Sequence, residues 1–270
     1  GMYPAIMRFT TLDPLAEKYY SISPYVYCSG NPVNMVDPDG RAGHAIINQD
    51  NRTITVSSTY IFYGSKATPE LSAKIANEIA WQYNGANGSV QIDGVKYAVN
   101  FDIHYQTVTE EQATEMAAGN TDASQNFVRV EETNPRMNRS FFELSDNTGF
   151  MNTTDNLGTS TTAPHEAGHG YGLDHPNSDQ RGNGQPGIMA ARGTAVDAGY
   201  TYNPQAGDSK NVVNSSGRTT GYSNSINPQT RRVTPQNILD MFKNIVFRNG
   251  AANIGNTTNR IYDANGYEKK

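Results

Sequence analysis

Three of the chain's five histidines fall between residues 165 and 175, where the sequence reads His165-Glu166-Ala167-Gly168-His169-Gly170-Tyr171-Gly172-Leu173-Asp174-His175. On a helix, four residues advance about 400°, so His165 and His169 share one face a turn apart. Two imidazoles at that offset can bind one Zn²⁺ at about 2.0–2.1 Å. Glu166 falls roughly 100° round from His165 and 60° from His169, on the flank of that face. From there it reaches water at the metal without becoming a ligand. A third ligand further along the same straight helix would lie too far away, so the chain must turn. Gly172 can take positive φ, end the helix and swing His175 back.

Three histidines leave a fourth position to water, whose pKa falls towards 7. Glu166 is then the general base that takes the water's proton and passes it to a leaving amine. A closed structural site would want a fourth protein ligand. The single cysteine, Cys28, is not nearby, which leaves only Asp174 as a candidate.

The helix carrying these groups is intrinsically poor. Gly168, Gly170 and Gly172 each cost about 1 kcal/mol relative to Ala in a helix interior. Thr161 or Thr162 is the expected cap, and Pro164 is acceptable only in the first turn. Burial and metal must therefore hold the segment.

With every specified letter of H-E-x-x-H-x-x-G-x-x-H present, the segment resembles the metzincin zinc peptidases. Gly187-Ile188-Met189-Ala190 is similar to the methionine turn of that clan, with Met189 beneath the metal. Pro176 after His175 is similar to the serralysin branch. The resemblance implies an α+β fold: a mixed twisted sheet with flanking helices, an active-site helix, the methionine turn and a C-terminal helix. It also implies that the segment after the turn shapes the pocket beyond the scissile bond. The sequence departs from the astacin and serralysin pattern at Ala191, where those enzymes carry a tyrosine. Tyr200 and Tyr202 are stand-ins that no spacing supports, and serralysin-type Gly-Asp calcium repeats are absent.

A second resemblance covers nearly all of residues 3–41. Arg8-Phe9-Thr10-Thr11-Leu12-Asp13-Pro14-Leu15-Ala16-Glu17-Lys18-Tyr19-Tyr20, then Pro24-Tyr25-Val26-Tyr27, Asn31-Pro32-Val33-Asn34 and Asp37-Pro38-Asp39-Gly40-Arg41, resembles the RHS repeat-associated core of large bacterial proteins. In that family the core precedes a variable C-terminal cassette, often a toxin delivered to another cell. The expected division is therefore 1–41 as RHS remnant and 42–270 as peptidase domain. Self-cleavage by paired aspartates is not carried over, because the shell is missing and only Asp37 and Asp39 match. Asp37-Pro38-Asp39-Gly40 reads as a turn.

The remaining sequence must position the motif. Ile46-Ile47, a turn at 48–52, and Ile54, Val56 and Tyr60-Ile61-Phe62-Tyr63 predict paired strands. Thr68-Pro69 opens a helix with Leu71, Ile75, Ile79 and Tyr83 on one face, stopped by Asn84-Gly85. A turn at Asp93-Gly94 feeds a strand from about 96 to 107. There Val99, Phe101, Ile103 and Tyr105 face one way, and Asp102, His104 and Gln106 the other. Thr109 and Gln112 form a capping box for a helix ending near Gly119. Residues 126–131 and 140–144 are further strand candidates, and an extended substrate is expected on an edge strand within 126–153. Residues 193–232 read as loop. Thr234-Pro235 opens a last helix, with Ile238, Met241, Phe242 and Ile245 on one face, running to Asn249-Gly250.

Composition narrows the function classes. Net charge is −5 with acids and bases interspersed, and no basic stripe for nucleic acid stands out. No apolar run approaches the roughly 20 residues of a membrane span. One cysteine permits no internal disulfide. His44 and His104 read as ordinary side chains. Gly1 before Met2 looks like an expression scar, and the N-terminal residues lack a secretory signal. The expectation is a zinc endopeptidase that is secreted or translocated within a larger bacterial RHS protein. Its partners would be a protein or peptide substrate and an immunity protein. Two competing readings are a weakly active zinc-binding interaction module and a metallohydrolase of a non-peptide bond.

Overall fold

A computed structural model of the chain describes residues 43–269, together with a short antiparallel pairing of Met2–Tyr3 with Arg8–Phe9. The RHS-like core, the 41/42 boundary, Cys28 and the Asp37-to-Gly40 turn otherwise lie outside the described residues.

The fold is α+β, built on one mixed sheet. Strand β1 (His44–Asn48) runs antiparallel to β2 (Thr53–Tyr63) across the expected turn, where the Asn48 side chain accepts from the Asn51 amide. Strand β2 organises the sheet. Along one edge it pairs in parallel with β4 (Val95–Thr107), from Thr53 to Phe62. Its other edge is shared, the first half by β1 and the second half by β5 (Gln125–Glu131), parallel. Beyond β5 lie β7 (Thr148–Asn152), parallel, and then the short antiparallel edge strand β6 (Phe141–Phe142). The hairpin of β3 (Ser89–Ile92) with β4 turns through Asp93 at φ 50° and Gly94 at φ 80°, the two positive angles of a type I′ turn.

Both faces of β2 are covered. Tyr60 and Phe62 enter the large core beneath α1 (Pro69–Gly85) and α3 (Thr162–Gly170), with Ile75, Ile79, Tyr83 and Met189. Ile61 and Tyr63 enter a second cluster with Ala113 and Ala117 of α2 (Glu110–Ala118) and with Ile261. Alternate side chains of a strand point to opposite faces, so a continuous buried run marks a strand sandwiched by helices. Both helix starts are capped as expected: Thr68 accepts from Leu71, and Thr109 and Gln112 form their reciprocal box. Strand β4 alternates as read, with Tyr97, Val99 and Phe101 buried, but Tyr105 is exposed, on the stretch past Ala98 where no strand among the described residues pairs with the outer edge of β4. His104 pairs with Asp102 at 3.0 Å in the open, and His44 contacts Asn253 at 3.4 Å.

Four expectations are corrected. The strand at 140–144 shrinks to Phe141–Phe142, and the neighbouring strand β7 was not foreseen. Strand β7 escaped because Thr148 and Asn152 are polar yet buried within the sheet. The region 193–232 is mostly irregular but contains a hairpin of β8 (Asn211–Val213) with β9 (Thr219–Tyr222). Helix α4 (Pro235–Phe242) opens at the expected Thr234 cap, in a capping box with Asn237, but stops well before Asn249-Gly250. The chain beyond it turns back to lay β10 (Ala251–Asn253) against β1. Residues past 253 add β11 (Ile261–Tyr262) and β12 (Glu268–Lys269). The Tyr262 carbonyl accepts from Arg129, a buried cation paired with Glu131 at 2.7 Å and Glu110 at 2.8 Å. No helix among the described residues is long and apolar enough to cross a membrane.

Candidate metal centre

Helix α3 begins at Thr162, which puts Pro164 in the first turn as required. The expected threonine cap is absent. Thr161 sits at the N-cap in the left-handed region, φ 62°, and its hydroxyl makes no capping bond. Its amide donates instead to Glu78 Oε1 of α1 at 2.9 Å, and its hydroxyl donates to the Pro228 carbonyl at 2.7 Å. The first-turn amide of Thr162 is met instead by the Ser160 hydroxyl at 3.3 Å.

The glycines that weaken the helix are places where neighbours press in. A Cβ on Gly168 would lie 2.3 Å from Met189 Sδ, and one on Gly170 would lie 2.8 Å from Phe142 Cε1. Only a bare backbone admits the methionine on one side and the edge strand on the other. Met189 is buried directly against the helix.

Gly172 takes φ 85° and closes a Schellman motif, with Leu173 N bonded to Gly168 O and Gly172 N to His169 O, both at 2.9 Å. This turn brings His175 back. The three Nε2 atoms converge: His165 to His175 at 3.1 Å and His169 to His175 at 3.2 Å. The three donor atoms are close enough to share one metal ion, and among the described residues no fourth His, Cys, Asp or Glu joins them. Asp174 instead accepts from the His175 backbone amide.

The imidazoles are held from behind. His165 Nδ1 lies 2.7 Å from Ile188 O, and His169 Nδ1 lies 2.8 Å from Leu173 O. Donation of Nδ1–H to these carbonyls leaves both Nε2 lone pairs facing His175. His175 has one Nε2 proton at most, so it cannot satisfy both neighbours. A cation between them satisfies all three. The donor set therefore fits a metal ion. Burial lowers the pKa of all three histidines, that of His165 furthest with help from the Arg231 charge, which keeps the rings neutral and able to ligate.

His165 is buried and His175 exposed, so the centre opens to solvent on one side. Glu166 lies on the buried flank. Its carboxyl is pushed up to about 8, chiefly by burial, with the Arg231 and Arg139 charges and the Phe142 backbone amide acting the other way. A cation in the triad would lower it again. Glu143 N bonds inward to Thr148 O, so the preceding amide, that of Phe142, faces out of the sheet towards Glu166. Tyr202 is 71 % exposed, and Tyr200 packs against the Ala190–Val196–Ile226 cluster. A hollow of about 600 Å³ bounded by Ile47, Arg52, Asp93, Tyr97 and Phe247 contributes nothing to the triad.

Sequence reasoning missed Arg231, Glu78, Thr161 as a bridging group, and Phe142. None lies in the motif, and each is delivered by a separate element. The glycines at 168 and 170 were a signal of close neighbours that helix propensity alone obscured. No family model, curated protein or solved structure matches the chain.

Proposed function

We propose that the chain is a zinc-dependent endopeptidase of the metzincin type. The observation that carries this reading is the convergence of three neutral imidazole nitrogens, with Glu166 buried on their flank. Ligands on a tetrahedral zinc at about 2.0–2.1 Å stand about 3.3–3.4 Å apart. The 3.1 and 3.2 Å separations match that edge closely. His165, His169 and His175 would hold the ion. When bound, zinc supplies a Lewis acid that acidifies water and polarises a carbonyl.

The chain's own groups do the rest. Glu166 takes a proton from water on the triad side and returns it to the departing amine. The Phe142 amide holds its carboxylate in place. Strand β6 pairs only with β7, and its outward Phe142 amide is already engaged by Glu166, so an extended peptide would pair with other backbone groups of the 126–153 segment. Phe141–Phe142 falls within the segment expected to receive substrate. Met189 under Gly168 and Leu173 O behind His169 fix the ligand side chains against rotation. The RHS-like residues 3–41 support the further reading that this peptidase is the effector cassette of a bacterial RHS protein.

The test is zinc analysis of the purified chain together with peptide products from a target-cell lysate, wild type against Glu166→Ala. The reading requires about one zinc per chain in both proteins and cleavage by wild type alone. Identical product sets from the two proteins would sink it.

A further inference from the structure

Arg231 is 2 % exposed, and Glu166 and Glu78 act on its charge without forming a salt bridge to it. Its guanidinium spends its donors on neutral groups from three segments. Nε lies 3.1 Å from Thr161 Oγ1 and 3.3 Å from Pro228 O. Nη1 donates to Ala190 O at 3.0 Å, and Nη2 to Thr161 O at 3.4 Å. Nη1 also lies 3.1 Å from His165 Nδ1, on the side of the ring away from the triad.

The counter-charges that act on it, Glu166 above all, reach it only through space and form no salt bridge, so ion pairing alone does not explain so buried a cation. The plane of five fixed donors does. One guanidinium reaches the N-cap of the ligand helix, the 228–230 turn and the carbonyl after Met189 at once, which no ammonium or neutral amide can do. The two ends it joins, Thr161 and Ala190, flank the His165–Ile188 contact.

We infer that Arg231 is a positioning residue for the metal centre, clamping the methionine turn to the start of helix α3 so that His165 keeps its ligating orientation. The inference rests on the metal-site reading above. Arg231 does not touch substrate. It acts through His165, in the way that groups behind metal ligands commonly tune affinity by about 10–100-fold.

The test is Co²⁺ titration of the metal-free protein followed by its visible absorption bands, for wild type, Arg231→Met, Arg231→Lys and Thr161→Ala, each checked for a cooperative thermal transition. Arg231→Met should weaken Co²⁺ binding at least about tenfold and alter band position or intensity. Arg231→Lys keeps the charge but loses the fork, and should recover little of this. Thr161→Ala removes one acceptor and should shift the bands in the same direction by less. A merely structural arginine would lower the melting temperature and leave the bands of the folded protein unchanged. Unchanged bands, with affinity within about twofold of wild type in folded Arg231→Met, overturn the inference. If Arg231→Met does not fold, unchanged bands in Thr161→Ala overturn it equally. A wild type that binds no Co²⁺ overturns the metal-site reading itself, a separate failure from normal binding in the variants.

Discussion

His165 Nδ1 lies 2.7 Å from the carbonyl oxygen of Ile188, the residue immediately before Met189. One contact thus joins the first histidine of the triad to the turn at Gly187–Ala190. Met189 itself fills the space beside Gly168, one residue before the second ligand. The turn therefore fixes the ligand helix at two points, by a hydrogen bond and by packing. Changes at either should be felt in metal binding as well as in stability.

Gly168→Ala separates packing from helix propensity. Propensity alone favours alanine by about 1 kcal/mol. The new methyl would sit 2.3 Å from Met189 Sδ and 3.0 Å from Tyr83 Oη. Overpacking of this kind costs about 1–3 kcal/mol and should win. Chemical denaturation of the metal-free protein should show net destabilisation, with weaker zinc binding as Met189 and Ile188 shift. A stabilised variant with unchanged zinc affinity would show that Met189 moves aside freely.

Gly172→Ala addresses the turn. At φ 85° a side chain costs about 1–2 kcal/mol. A Cβ there would also lie 3.1 Å from Ser145 Oγ. Because the same turn places Leu173 O on His169 and returns His175, zinc affinity should fall together with stability. Competition against a chromogenic chelator measures the first and thermal unfolding the second. A drop in stability with native zinc affinity would show that His175 does not depend on this turn.

Metal removal should lower the melting temperature reversibly. A ligand at about 1,000 times its Kd stabilises the folded state by about 4 kcal/mol. Calorimetry with a chelator, then with added zinc, should show a matching loss and recovery in wild type and in Glu166→Ala. His175→Ala should show little response, having lost a donor. Equal responses from His175→Ala and wild type would remove His175 from the ligand set.

Glu78 links α1 to the start of the ligand helix, and burial raises its carboxyl pKa above the usual carboxylate range. The folded state therefore holds the proton to higher pH than the unfolded chain does. Stability from this group is present below the usual range and is lost as pH rises through the raised value. Glu78→Gln keeps an acceptor for Thr161 N but cannot ionise. Its melting temperature relative to wild type should rise from about pH 4 to about pH 7. Parallel curves for the two proteins would rule out this linkage.

The local chemistry was legible in the residues alone. The ligand spacing, the positive φ at Gly172, the caps at Thr68, Thr109 and Thr234, and the hairpin turn at Asp93-Gly94 all depend on neighbours a few residues apart, where backbone sterics and short-range hydrogen bonds dominate. The buried run Tyr60-Ile61-Phe62-Tyr63 also announced a strand. What the sequence could not reveal depends on distant segments meeting. Thr161 is held by Glu78, Pro228 and Arg231 rather than by its own hydroxyl cap. Strand β7 is buried despite its polar residues because its neighbours supply the ladder and cover. Phe142 and Met189 reach the ligand helix only where glycines leave room for them. The motif determined which atoms can ligate. The tertiary structure decided which way those atoms point, because ring orientation is set by carbonyls and a guanidinium from elsewhere in the chain.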